Sequence, residues 1–382
     1  MELVSATSDF EIEGQPYPGF PILLYDSMES CEPVNEFLRY YLLRGSIDSD
    51  NSWAVVGQAL YDYFSYLVAH KRDWRQPRVG EEHGLVAAYR DYCLDTIRLA
   101  AITVKTRVIY ICAFYEFALG AGWIKSLPFD YEIRQTRRPS GALAHVDSTG
   151  GKANSKSVAP KVSKRLPKFL VRNEISLLLS ALKANPHHQM LVRMALQVGL
   201  RREELVTFPV SYVIDAVRKG GTSRNVTIRL DPSDGTGMRT KGSVERHIVV
   251  SRRLLLDLHQ YAKQLRGERA SLSSVLHSPL FLNQEGNPYA AAGKGVGRII
   301  LEAGRSVGLM VKTHMLRHTY ATHTLYGLQR SRQRGIDPLV FVQNQLGHAY
   351  ISQTQIYTHL LDERAEEAVL KYDDELNAMI LS

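Results

Sequence analysis

Cysteine is scarce here: Cys31, Cys93 and Cys112 are the only three in 382 residues. Their odd number and unpaired spacing argue against a disulfide framework or a structural zinc site, and suit a reducing cytoplasm. No apolar run approaches the roughly 18 residues that span a bilayer, so no membrane association is expected. Glu2, Asp9 and Glu11 stand where a signal peptide needs a basic start and an apolar core. Internal repeats are also missing. The hydrophobic fraction of 45% and charged fraction of 23% are those of a soluble globular chain, long enough for two domains with separate cores.

Charge is present but unevenly placed. Between Arg137 and Lys168 lie Arg137, Arg138, Lys152, Lys156, Lys161, Lys164, Arg165 and Lys168, opposed only by Asp147. Eight positive charges against one negative give this stretch +7 of the chain's formal +8, and the remainder is nearly neutral. Such focusing suits a polyanion such as nucleic acid, or a solubilising linker. From Pro139 to Pro160 the segment is rich in Ser, Gly, Ala and Lys without helical period, so it reads as a flexible linker.

Upstream, Val56, Leu60, Tyr63, Phe64 and Leu67 trace one helical stripe. A second helix is predicted around Leu85, Tyr89, Tyr92 and Cys93. A third starts after Thr103, carries Ile111, Phe114, Tyr115 and Ala118, and stops near Gly120 and Gly122. These aromatics read as core. The first 30 residues, with Gly14, Pro16, Pro18, Gly19 and Pro21, read as an irregular or extended arm. Downstream, Asn173 is the expected N-cap of a helix burying Ile175, Leu178, Leu179 and Leu182. Another helix runs from Met190 toward Gly199. Val226–Leu230 and His247–Val250 read as strands of a hairpin whose tip holds Asp234-Gly235-Thr236-Gly237 and Lys241-Gly242. Helix then dominates to the C-terminus. The expected fold class is mainly α with a small antiparallel β-sheet in the C-terminal domain. The expected domains are an extension over 1–30, a helical domain over 31–136, a basic linker over 137–168 and a second domain over 169–382.

Four short motifs stand in a fixed order: Gly199-Leu200-Arg201-Arg202-Glu203-Glu204-Leu205; Thr240-Lys241-Gly242-Ser243-Val244-Glu245-Arg246; His314-Met315-Leu316-Arg317-His318-Thr319-Tyr320-Ala321-Thr322; and Leu346-Gly347-His348 followed nine residues later by Tyr357. Together they resemble the motifs of the tyrosine recombinase/integrase family of site-specific DNA recombinases. The third fits the family's H-x-L-R-H-T-x-A-T at every fixed position. The likeness covers the whole C-terminal domain and, less specifically, the region from about Ser46 to Phe129, which is similar to the family's core-DNA-binding domain. Two departures are visible: Arg202-Glu203 precedes Glu204 in place of small or hydroxyl residues, and the connection from Tyr326 to Pro338 is long.

The resemblance implies a catalytic set of Arg201, Lys241, His314, Arg317, His348 and Tyr357, with Glu204 orienting Arg201. The chemistry accommodates each. Tyrosine has an unperturbed pKa near 10, so Tyr357 needs nearby cations or a base to attack a phosphodiester. Arg201 and Arg317 offer planar forks to the non-bridging oxygens. Lys241 is the candidate general acid for the 5′ oxygen, His314 the acceptor or relay of the nucleophile's proton, and His348 a hydrogen-bond partner of the phosphate. The resemblance also implies a 3′-phosphotyrosyl intermediate and strand exchange between duplex recombination sites, as in integration or excision of a mobile element. It further implies a homotetramer on DNA, monomeric or dimeric when free, with no cofactor. Lys161, Lys164, Arg165 and Lys168 are the candidate phosphate contacts. Beyond Tyr357, Leu360-Leu361, an acidic patch and Val369, Leu370, Leu376, Met379 and Ile380 suggest a tail helix that packs on a neighbouring protomer or caps its own domain.

Blander readings exist for parts of this set. His314 and His318 share the i, i+4 spacing of a zinc pair, but Met315 stands where H-E-x-x-H has its Glu, so no metal is expected. Gly293, Gly295 and Gly297 miss the Walker and dinucleotide spacings and read as a turn before the helix carrying Ile299 and Ile300. Two rival functions share the motifs: a type IB topoisomerase that relaxes DNA without site dependence, and a non-catalytic DNA-binding protein on the same scaffold.

Overall fold

The computed structural model describes residues 1–43, 50–76, 78–79, 83–135, 152–162, 166–290, 292–331 and 337–358. The chain divides into two compact units, Met1–Lys164 and Arg165–Ser382, and the division falls inside the basic segment. Both units are mainly helical with small two-stranded antiparallel sheets.

In the first unit, β1 (Glu2–Ser5), β2 (Glu11–Ile12), β3 (Gln15–Pro16) and β4 (Pro21–Leu24) precede helices α1 (Glu32–Leu42) and α2 (Asp50–Ala69). Strands β5 (Arg78–Val79) and β6 (His83–Gly84) lead into α3 (Leu85–Asp91), a π-helical turn (Tyr92–Thr96) and α4 (Ala101–Gly120). Strands β7 (Tyr131–Gln135) and β8 (Lys152–Lys156) close the unit. The predicted stripe Val56, Leu60, Tyr63, Phe64 and Leu67 is buried, as are Ile111, Phe114, Tyr115 and Ala118. The three cysteines are free, buried thiols of this core.

Two sequence expectations fail here. Residues 1–24 are not an irregular arm. Strand β1 pairs antiparallel with β4, and Phe20 and Leu23 are buried in the core, Phe20 edge-on to Trp53 at 5.6 Å. The buried amide of Asn35 locks the hairpin down, accepting from Leu23 N and donating to Leu23 O, both at 2.8 Å. Strands this short show too little alternation to register as strands; Gly14, Pro18 and Gly19 serve the turns between them, while Pro16 and Pro21 lie at strand ends. Nor is the basic segment wholly linker. Lys152–Lys156 pairs with Tyr131–Gln135, Lys156 bridges Glu116 at 2.7 Å, and Val158 is buried.

The second unit orders α5 (Arg172–Ala181), α6 (Pro186–Val198), α7 (Arg202–Thr207), α8 (Val210–Arg218), β9 (Asn225–Leu230), β10 (Arg246–Ser251), α9 (Arg252–Lys263), α10 (Leu265–Ala270), α11 (Lys294–Arg305), α12 (Thr313–Ser331) and α13 (Pro338–Leu346). Residues 352–358 are helical. The predicted hairpin is β9 and β10 in antiparallel register, Ile228 opposite Ile248. Helix α5 starts earlier than expected. Val171 is its N-cap and Glu174 reaches back to Val171 N at 2.9 Å, which leaves Asn173 inside the first turn. Gly293 alone makes the glycine turn, since Gly295 and Gly297 lie within α11. The segment after residue 358 lies outside the described residues, so the tail expected there, including Val369, Leu370, Leu376, Met379 and Ile380, does too.

Two helices of this unit begin and end alike. Helix α6 is capped by Asn185, whose side chain accepts from His188 N, and α13 by Asp337, which accepts from Leu339 N and Val340 N. Each has Pro at N1 and ends in a glycine at positive φ, Gly199 at 72° and Gly347 at 65°. A side chain would be strained at both. A Cβ on Gly199 would meet Tyr320 Cδ1 at 2.4 Å, and one on Gly347 would meet Arg246 Cδ at 2.7 Å.

Candidate active site

The C-terminal ends of α6 and α13 present backbone carbonyls that no helical N–H can satisfy, at the negative poles of the two helices. Two arginines fill this role. Arg317, on α12, donates to Gly199 O at 2.7 Å and Leu346 O at 2.6 Å. Arg201, the N-cap of α7, donates to Gly347 O at 2.8 Å. The two guanidinium groups thus grip adjacent carbonyls, those of residues 346 and 347. Arg317 is only 2% exposed, and no ion pair to a carboxylate is made by it among the described residues. Burial first, then Arg201, lower its pKa to about 9, which still leaves it charged at neutral pH.

Glu204 occupies the third position of α7 and is 1% exposed. Its carboxylate accepts from Arg201 N at 2.7 Å, Arg201 Nη1 at 2.9 Å, and Arg246 Nη1 and Nη2 at 2.7 Å each. Four donors match the four lone-pair sites of a carboxylate. Burial by itself would raise the pKa of Glu204; the hydrogen bonds and charge of Arg246, with those of Arg201, outweigh it and lower the pKa.

Tyr357 lies in a small apolar cluster with Ala321, Leu325, Val342 and Leu346, and is 1% exposed. Its hydroxyl is 2.9 Å from Nδ1 of His318, one turn beyond His314 on α12. Desolvation, then His314 and Arg317, lower the His318 pKa to about 4, so the imidazole is neutral at pH 7. Burial raises the Tyr357 pKa to about 12 against the opposing pull of Arg317 and Arg201. His348 stacks on Tyr357 with ring centroids 6.3 Å apart and planes 12° apart. The hydroxyl of buried Thr354 fixes that ring through Nδ1 at 3.0 Å. Desolvation first, then Arg317 and Arg201, lower the His348 pKa to about 3.

Of the residues predicted from sequence, Arg201, Glu204, Arg317, His348 and Tyr357 are brought together. His314 reaches the cluster through His318, ring to ring at 4.3 Å, rather than touching Tyr357. Its pKa is lowered by desolvation and then by Arg317 and Arg201. Lys241 stands apart. It is exposed on a short turn (Lys241–Ser243) closed by Thr240 Oγ1 donating to Val244 O at 2.7 Å, and hydrogen-bonds none of the others among the described residues. Lys161 and Lys168 are exposed, while Lys164 and Arg165 lie outside the described residues. Sequence reasoning missed Arg246 and Thr354 and gave His318 no role in the chemistry. His318 was detectable from its i, i+4 relation to His314 on a helix; Arg246 closes the second motif but was given no role, and Thr354 carried no such local signal.

The phage integrase family profile matches residues 168–364, which include all four motifs. A tyrosine recombinase XerA of Pyrococcus horikoshii is 31% identical over 291 residues, covering 70% of this chain and 87% of the relative. A tyrosine recombinase XerD of Caulobacter vibrioides is 30% identical over 340 residues, covering 84% and 89%. The fold is similar to that of the XerH site-specific recombinase in a post-cleavage complex, with a TM-score of 0.56, 18% identity and coverage of 92% and 90%. It is likewise similar to the Tn1549 transposon integrase, with a TM-score of 0.56, 16% identity and coverage of 85% and 94%. A profile spanning more than half of the chain, and relatives at this identity along most of their length, leave one conclusion: the chain belongs to the phage integrase family of tyrosine recombinases.

Proposed function

We propose that this recombinase acts on short duplex DNA sites and cuts them through Tyr357. The phenolic oxygen attacks the scissile phosphorus, a Tyr357 O–P bond forms, and the P–O5′ bond breaks. The product is a 3′-phosphotyrosyl link and a free 5′-hydroxyl. The phenolic proton passes to Nδ1 of neutral His318, with His314 beside it as relay. Lys241, on its exposed turn, gives a proton to the departing 5′ oxygen. Arg201 and Arg317 hold the non-bridging oxygens, and His348 hydrogen-bonds the phosphate. One phosphodiester replaces another, so attack by a partner strand's 5′-hydroxyl rejoins DNA without nucleotide hydrolysis.

The observation that carries this reading is the convergence on Tyr357: a neutral imidazole 2.9 Å from its hydroxyl and two guanidinium groups whose charge opposes the rise that burial imposes on its pKa. The first unit, which contains residues 31–136, serves as a core-DNA-binding domain, and Lys161, Lys164, Arg165 and Lys168 contact phosphates. The working unit is a tetramer on DNA, acting in the cytoplasm on the ends of a mobile element. Incubation with nicked duplexes bearing candidate element ends tests the proposal. A covalent adduct is expected on the cognate duplex only. Equal relaxation of any supercoiled plasmid favours a topoisomerase, and binding without an adduct favours a non-catalytic scaffold.

A further inference from the structure

Arg246 is the first residue of β10, immediately after the connection that carries Lys241. Its guanidinium bridges both oxygens of Glu204, and its stem lies against Gly347, where no Cβ fits. The same strand is fastened to the last turn of α13 by Gln345, which is 2% exposed. The Gln345 side chain accepts from Val249 N at 2.8 Å and donates to Val249 O at 3.1 Å. Gly347, two residues on, offers its carbonyl to Arg201. The hairpin, the Arg201 turn and the segment leading to His348 are therefore tied at one buried point.

Resting on the proposed cleavage by Tyr357, we infer that Arg246 is a positioning residue: through Glu204 it aims the Arg201 guanidinium at the phosphate and keeps that guanidinium's charge available. Charge arithmetic supports the role. Arg201, Arg246 and Arg317 against Glu204 leave a surplus of two positive charges, matching the two negative charges of a phosphorane. With Arg246 gone, Glu204 is held by Arg201 alone, and the bidentate contact that fixes the orientation of the pair is lost. The groups facing Glu204 are Arg201 from its own turn, Arg246 from β10 and Arg317 from α12.

Single-turnover cleavage of a nicked duplex by the full chain tests this, across pH and with duplex affinity measured alongside. Arg246→Met is expected to cleave about 10²-fold more slowly, the scale of loss when a reacting geometry slips by about an ångström, with duplex affinity nearly unchanged. Its rate should also fall on acidification where the unaltered enzyme is flat, because Glu204 without its partner takes a proton and releases Arg201. Glu204→Gln combined with Arg246→Met should cleave no more slowly than Glu204→Gln alone and lose that acid limb. Arg246→Lys, which keeps the charge without bridging both oxygens, should recover part of the rate. If Arg246→Met does not fold, Arg246→Lys and the double variant carry the comparison. Losses that multiply in the double variant overturn the inference. So does an Arg246→Met enzyme with unaltered rate and pH profile while Tyr357→Phe is inactive, a result that leaves the nucleophile assignment standing. Cleavage persisting in Tyr357→Phe overturns both.

Discussion

The hydroxyl of Tyr357 and Nδ1 of His318 are 2.9 Å apart, in a pocket where the imidazole is neutral and the phenol is protonated. A neutral imidazole within hydrogen-bond reach of a proton that must leave is placed to accept it. His318→Gln should therefore slow single-turnover adduct formation by about 10²-fold or more while leaving duplex affinity unchanged. His314→Gln should cost less, since that ring reaches the nucleophile only through His318. Equal losses, or a larger loss at 314, would transfer the role to His314.

Lys241 is the residue whose role leans most on resemblance, since it stands exposed and apart from the cluster. A leaving oxygen needs a proton; a leaving sulfur does not. Lys241→Ala should cleave an ordinary nicked duplex poorly and a duplex with sulfur at the scissile 5′ bridging position nearly as well as the unaltered enzyme does. If sulfur gives no recovery, Lys241 is not the acid.

Much of this site was readable because each motif is local. Arg201 with Glu204, and His314 with Arg317 and His318, are each set by one helical turn, and Leu346-Gly347-His348 by one helix cap. What could not be read came from distant segments. Arg246 meets Glu204 across 42 residues and Gln345 meets β10 across 96, and nothing in either neighbourhood announces the pairing. His318 was visible as a fixed position of the third motif, and its spacing from His314 was weighed as a metal pair and set aside; its role stayed hidden because a hydrogen bond to position 357 depends on where residues 352–358 fold back. The helical stripes of the first unit were legible from periodicity. Its opening hairpin was not, since two- and four-residue strands carry no usable period.

That hairpin gives a prediction on stability. Phe20 is 1% exposed and packs on Phe10 and Trp53. Phe20→Ala should destabilise the protein by about 3 kcal/mol or more, read by chemical denaturation. A change below about 1 kcal/mol would restore the picture of residues 1–30 as a dispensable arm.

Three half-buried or buried imidazoles make stability depend on pH in a defined window. Desolvation is the first cause in each case: it lowers His187 and His348 to about 3 and His318 to about 4. Unfolded histidine titrates near 6.5, so below that pH the unfolded chain binds protons the folded chain refuses. The stability these groups contribute is fully present above about pH 6.5 and is lost as pH falls toward 4. Melting temperature should decline across that range. His187, held between the hydroxyls of Tyr261 and Tyr289, is remote in sequence from the catalytic motifs. His187→Gln should shrink the pH slope by about one proton. An unchanged slope would contradict the account.

The most direct measurement is to trap the covalent adduct on a nicked duplex, digest it, and locate the modified residue by mass spectrometry. Tyr350 provides an internal control, exposed and seven residues from Tyr357. The account predicts a nucleotide on the peptide containing Tyr357, attached at that side chain, and no adduct from Tyr357→Phe. Attachment at Tyr350 or at any other side chain would contradict it.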